Sequence, residues 1–167
     1  MKDNIDVLIE GGNVPVTCGT IALLSHKPTS EGTLWSWRLK NNGVICAGRT
    51  TMAELGLSTA IKNESYSGSP RSAYNTELTS GGSSGGSGGA VGSGILPVAL
   101  GTDTTGGIRI PAACNGVVGY RPTVNRWPSD FGLRISPSLD SIGPITHSVR
   151  DAIFMDSIVT EEKHEKI

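Results

Sequence analysis

Residues 81–113 read GGSSGGSGGAVGSGILPVALGTDTTGGIRIPAA. The first fourteen have the composition of a flexible tether, because glycine restricts the backbone least and serine keeps it solvated. The remainder has a different character. Ala90, Val91, Ile95 and Leu96 bring apolar groups at helical spacing straight after the glycines, and PVALGTDT (97–104) is an apolar run closing on turn residues. Such a run predicts a buried strand that delivers a loop at its tip. Loop, helix, strand, loop is the order in which α/β folds present backbone N–H groups to a ligand. The glycines are therefore expected to shape a site, by close backbone approach and by taking positive φ.

Upstream, KDNIDVLIE (2–10) alternates polar and apolar residues and predicts a strand or strand end, followed by a turn at Gly11-Gly12-Asn13. LWSWRLKNN (34–42) predicts a short helix closed by Gly43, and VICAG (44–48) a buried strand. Thr51 is placed to cap a helix carrying Met52, Ala53, Glu54 and Leu55. The polar, turn-rich stretch 65–80 predicts a surface loop. Downstream, GVVGYRPT (116–123) predicts another strand, and SVRDAIFMDSIVT (148–160) an amphipathic helix opened by Ser148. The charged tail EEKHEKI (161–167) is expected to fray.

A chain of 167 residues has the size of one domain, and no internal repeat divides it. Its net charge of −1 carries no electrostatic footprint for nucleic acid or anionic membrane, so neither is expected as a partner. The 23 glycines are the compositional outlier. Cys18, Cys46 and Cys114 are far apart and odd in number, which predicts reduced, mostly buried thiols. No Cys/His spacing calls for a metal. No apolar run reaches spanning length and the first residues lack a leader's basic-then-apolar pattern, so a cytoplasmic location is expected. His26, His147 and His164 have no partner pattern and are read as non-catalytic. Asp103 is expected to organise its loop by accepting N–H bonds, and Arg109 to be structural. Arg49 is expected to make polar contacts at the site's edge, and Trp35 and Trp37 to pack a helix on the sheet or stand exposed.

The block 81–123 resembles the amidase signature family, whose members carry a stretch like GGSSGGS, then GTDTGGSIRIPAA, a Gly-Val-Val-Gly run and Lys- or Arg-Pro-Thr. MKDNID is similar to the family's VKDNID, VTCGT to TTAGS, AGRTTMAEL to GKTNMPEF, and SIGPITHSVRDA to GPMARTVADA. The resemblance covers nearly the whole chain. It implies an α/β fold, part of a mixed β-sheet with helices on both faces. It also implies a Ser–Ser–Lys hydrolase of amides, without cofactor or metal, taking a small-molecule amide as substrate or ligand. In such a mechanism a lysine takes a proton through a serine on a cis peptide while a second serine attacks the carbonyl.

Carried over position by position, the resemblance puts the family's lysine at Lys2 and its bridging serine at Ser83, with Ser84 hydrogen-bonded into the network. The nucleophile's position is Gly107. The backbone N–H groups of Thr104, Thr105, Gly106 and Gly107 would form the oxyanion hole. Glycine has no hydroxyl, so the expected outcome is an inactive or weakly active member of the lineage. The alternatives are an active amidase with an unusual nucleophile, Thr105 or Ser83, or a non-catalytic amide- or partner-binding protein. Family members extend on both sides of the matched segment. Residues 1–160 are accordingly expected to be the central part of an amidase signature domain without its N- and C-terminal portions, and 161–167 a tail. Exposed sheet edges would then favour self-association. A frayed start would leave Lys2 solvated, with a pKa near ~10.4.

Overall fold

The strand expected at 97–104 is the centre of the architecture. In the computed structural model, which describes residues 1–8, 14–28, 30, 32–60, 68–128 and 133–162, it spans Val98–Asp103 (β1). Two further strands, Val118–Gly119 (β2) and Ser141–Thr146 (β3), complete an antiparallel sheet of order β1-β3-β2. The register pairs Val98 with Thr146 through to Asp103 with Ser141. Among the described residues three α-helices cover the sheet: Gly85–Gly92 (α1), Arg109–Cys114 (α2) and Val149–Thr160 (α3).

Strand alternation divides the core into two layers. Leu100 and Ile142 face a cluster with Trp35, Leu39, Trp127, Met155 and Val159, which seats α3 on one face. Ala99 and Ile145 face Val91, Ile108 and Ala112, which seats α1 and α2 on the other. Helices on both faces were the expectation, and the fold matches it. β1 is buried along nearly its full length because both faces are covered, which is why it reads as an apolar run.

Helix α1 is five-eighths glycine, a composition that opposes helix formation by up to about 1 kcal/mol per residue relative to alanine. Packing overrides propensity here. A Cβ on Gly86 would lie 2.5 Å from the Thr51 carbonyl oxygen, and one on Gly88 would lie 2.9 Å from Pro111 of α2. Only glycine lets this helix approach its neighbours so closely. At the other end of the chain, Ser148 caps α3 as expected, its side chain accepting the Asp151 N–H.

Several local expectations are corrected. The stretch 2–8 forms no ladder among the described residues: Lys2 makes a single parallel bridge to Thr50. VICAG is not a buried strand either; Ile45 is 89% exposed, and the segment is held by the Met1 ammonium donating to the Gly48 carbonyl at 2.8 Å. The helix at 34–42 exists as a π-type turn, Leu34–Leu39, tightening into Lys40–Asn42 and closed by Gly43 at φ 78°. Thr51 caps nothing. The turn beyond it is only Glu54–Gly56, and the Thr51 carbonyl instead accepts the Gly86 N–H at 2.9 Å. The strand at 116–123 is reduced to two residues, extended by the Tyr120 N–H donating to Pro144, because Pro122 offers no donor. Of the thiols only Cys18 is buried; Cys46 is half-buried and Cys114 exposed. Trp35 is buried and Trp37 stands in solvent. In the loop at 65–80, Ser72 and Ser80 are buried and Arg71 bridges Thr79. The turn at Gly11–Asn13 and the tail from residue 163 lie outside the described residues. Among those described, no helix is long and apolar enough to cross a membrane.

Candidate active site

Lys2 is fully buried, so the solvated state that a frayed start would give it is not the one observed. Its backbone N–H donates to Leu100 at 3.1 Å, and the Thr50 N–H donates to Met1 at 2.8 Å, so the start of the chain lies clamped between β1 and residues 48–50. The side chain then runs under β1. Its Nζ lies 2.6 Å from Ser83 Oγ, 2.7 Å from Thr102 Oγ1 and 3.4 Å from the Thr102 carbonyl. Burial lowers its pKa to about 7, with Asp103, Cys18 and Asp140 pulling weakly the other way. The cause is desolvation: no carboxylate among the described residues forms an ion pair with it. Near neutrality a large fraction of this amine is unprotonated and can accept a proton from the hydroxyl beside it.

Ser83 follows a cis peptide bond from Gly82. Its carbonyl accepts the Ala53 N–H at 3.0 Å, and the Ser84 N–H donates to Gly107 at 3.1 Å, which ties the serine pair to the loop after β1. Ser84 is buried. Its hydroxyl bridges the Thr102 backbone, accepting from the N–H at 3.2 Å and reaching the carbonyl at 3.3 Å.

The loop 104–107 is organised by Asp103, which is fully buried at the end of β1. It accepts the Gly106 N–H at 2.7 Å and the Ile108 N–H at 3.2 Å, and pairs with Arg109 at 2.9 Å and Arg121 at 3.4 Å. Burial alone would raise its pKa, but the hydrogen bonds from Arg109, Gly106 and Ile108 outweigh it and hold the carboxylate ionised. Both expectations, loop organiser and structural arginine, match this geometry. The four expected oxyanion donors are not equivalent. Gly106 is already committed to Asp103, while the N–H groups of Thr105 and Gly107 have no acceptor among the described residues.

Gly107 faces the serine. A Cβ built on it would lie 2.8 Å from Ser83 Oγ and 2.5 Å from the Thr102 carbonyl oxygen. Gly82, Ser83, Thr104, Thr105 and Gly107 line a cavity of about 170 Å³, closed on its other side by Gly56, Leu57 and Ile135. Ser83, Thr104, Thr105 and Gly107 thus line one cavity, with Lys2 bonded to Ser83 and Ser84 to the Thr102 backbone, while the Gly106 N–H donates to Asp103. Thr102 and Asn4 were not singled out from the sequence. Thr102 Oγ1 bonds Lys2 and accepts from Asn4 Nδ2 at 3.1 Å. Both residues lie inside quoted motifs, but only the fold brings positions 4 and 102 together. Arg49, as expected, donates from the edge, to the Ile5 carbonyl at 2.9 Å and to Val7 at 2.6 Å. Among the described residues no cluster of His, Cys, Asp or Glu is placed to hold a metal ion.

A buried amine sharing a hydrogen bond with a serine can take that serine's proton, and the backbone donors beside it can hold a carbonyl oxygen. The chain belongs to the Amidase family, whose model matches residues 1–166. It is similar to mandelamide hydrolase of Pseudomonas putida, 44% identical over 164 residues that make up 96% of this chain and 31% of the relative. It is also similar to indoleacetamide hydrolase of Allorhizobium ampelinum, 38% identical over 151 residues that make up 90% of this chain and 32% of the relative. Among solved structures, the native peptide amidase of Stenotrophomonas maltophilia superposes with a TM-score of 0.83 at 31% identity, covering 99% of this chain and 36% of that one. The chain thus spans about a third of the length of these relatives.

Proposed function

We propose that this chain carries the acyl-handling site of a carbon–nitrogen (amide) hydrolase, with Lys2 as base and Ser83 as proton relay, in which glycine at 107 has removed the attacking hydroxyl. Turnover of amides is then weak or absent. The observation that carries this reading is the buried Lys2 Nζ, 2.6 Å from Ser83 Oγ, with Gly107 directly across from that serine. The family relationship supports the bond type: mandelamide hydrolase and indoleacetamide hydrolase are named for small carboxamides. On this reading the free N–H groups of Thr105 and Gly107 hold the carbonyl oxygen of a bound carboxamide. Thr104 lines the wall around it, and Ser84 holds the Thr102 backbone behind that wall.

The test compares the natural chain with Gly107→Ser, measuring ammonia released from an arylacetamide and, separately, saturable binding of that amide by calorimetry. The expected result is binding to both proteins and at least 100-fold faster release by the serine variant, since losing a nucleophile costs several orders of magnitude. Failure of the amide to bind either protein would overturn the reading. A non-catalytic amide-binding role is the outcome if both bind and neither turns over.

A further inference from the structure

Among the hydroxyls that line the candidate cavity, Ser83 is the one hydrogen-bonded to an amine among the described residues, whereas Thr104 donates to the Asp140 carboxylate. We propose that Ser83 is itself an acyl acceptor in this protein, and that the site acts on aryl esters rather than amides. This rests on the reading of the site as acyl-handling, and adds to it a nucleophile and a substrate class.

Ser83, 7% exposed, lines the cavity, and Lys2 Nζ lies 2.6 Å from its Oγ. The distance from that oxygen to the Cβ that residue 107 lacks is 2.8 Å, so with glycine there no side chain screens Ser83 from a ligand. The unengaged N–H groups of Thr105 and Gly107 share the same wall. The competing hydroxyls fail on one count each. Ser84 is buried and engaged with the Thr102 backbone. Thr105 is exposed on the cavity but has no base within hydrogen-bond reach among the described residues. Ser58 donates to the Ala60 carbonyl.

The substrate class is set by where the proton goes. The neutral Lys2 amine takes the proton of Ser83, Oγ bonds to the acyl carbon, and the bond from that carbon to its leaving group breaks. An amide nitrogen must be protonated as it departs, and a serine that bridged lysine and leaving group could pass the proton on. Once Ser83 is acylated it has no proton to relay, and the Lys2 ammonium lies buried behind it. An aryl oxide leaves with its electron pair and needs no proton. Water then adds to the acyl carbon, Lys2 returns its proton to the departing Oγ, and the water's second proton passes to solvent, where it meets the aryl oxide. The sum is ester plus water to carboxylic acid and phenol.

The experiment treats the natural chain with p-nitrophenyl acetate, follows nitrophenolate, and locates the acetyl group by peptide fragmentation after an acid quench. The expected results are acetyl on Ser83, loss of at least 90% of the catalysed rate in Ser83→Ala, and a rate that rises with pH around 7. Lys2 sets that midpoint, and the groups facing it are Asp103, Cys18 and Asp140. Slow acetylation of surface lysines, insensitive to Ser83→Ala, would not count in its favour. Acetyl on Thr105, a rate unchanged in Ser83→Ala, or no acetyl on Ser83 would each overturn the proposal, and the two acetyl readings are made on the natural chain without any variant. A protein that binds an arylacetamide saturably yet never carries acetyl on Ser83 refutes this inference and leaves the amide-site reading standing. A protein that does neither refutes both.

Discussion

At Lys2 the decisive quantity is the loss of water around one ammonium group. A lysine with a folded pKa of about 7, against an ordinary value of 10.5, binds fewer protons folded than unfolded throughout that interval. Stability must therefore increase with pH from about 7 upward. The Met1 ammonium, lowered by the same burial, acts in the same direction up to about 8. Cys18 works against them. Its thiol is pushed up to about 11 by burial and by nearby Asp3, so above about 9 the unfolded chain ionises it first and the gain is cancelled. At about 1.4 kcal/mol per pKa unit, the rise between pH 7 and 9 is on the order of 3 kcal/mol. Urea unfolding at pH 7, 8 and 9 checks this, and Lys2→Met should flatten most of the slope. Equal stability at the three pH values would mean that Lys2 is solvated. At Gly107 the same scale predicts a stability cost for restoring a side chain. A Cβ 2.5 Å from the Thr102 carbonyl forces backbone to move, so Gly107→Ser should unfold about 1–3 kcal/mol more easily even where it gains a hydroxyl.

Among the elements, α1 sets propensity against packing. Alanine is the better helix former by about 1 kcal/mol, so Gly86→Ala would stabilise an isolated helix. In this fold the added methyl meets the Thr51 carbonyl at 2.5 Å and its amide nitrogen at 2.6 Å. The sign is expected to reverse, with a loss of about 1–3 kcal/mol in chemical denaturation. A stabilised Gly86→Ala protein would show that α1 stands off from residue 51. Elements whose signals are local were legible in the sequence: the apolar run of β1, the Ser148 cap and amphipathic stripe of α3, and the Gly43 closure. Those that failed depended on partners. VICAG has strand composition, yet no strand lies alongside it among the described residues. Thr51 has the chemistry of a cap, yet its carbonyl is taken by α1.

For the whole molecule, the two-layer core is well covered while part of the surface is apolar. Trp37, Ile45, Leu57 and Ile95 are each more than two-thirds exposed. β2 forms an edge of the sheet. Apolar groups and an open edge favour association, and the chain is expected to self-associate with rising concentration. Sedimentation velocity over a hundredfold range tests this, and a concentration-independent monomer would count against it. What the sequence by itself determined is chemical and local: the block 81–123 with its glycine at 107, the motif residues Lys2, Ser83 and Ser84, and the β1 and α3 segments, each marked by composition or short-range spacing. The tertiary structure alone decided that Lys2 is buried and its amine weakly basic, that Thr102 and Asn4 join it, that Asp103 claims the Gly106 N–H, and that Ser83 lies beside residue 107 on the lining of one cavity. These are contacts across up to a hundred residues of chain, and their energies come from desolvation and close approach, which no short stretch of sequence contains.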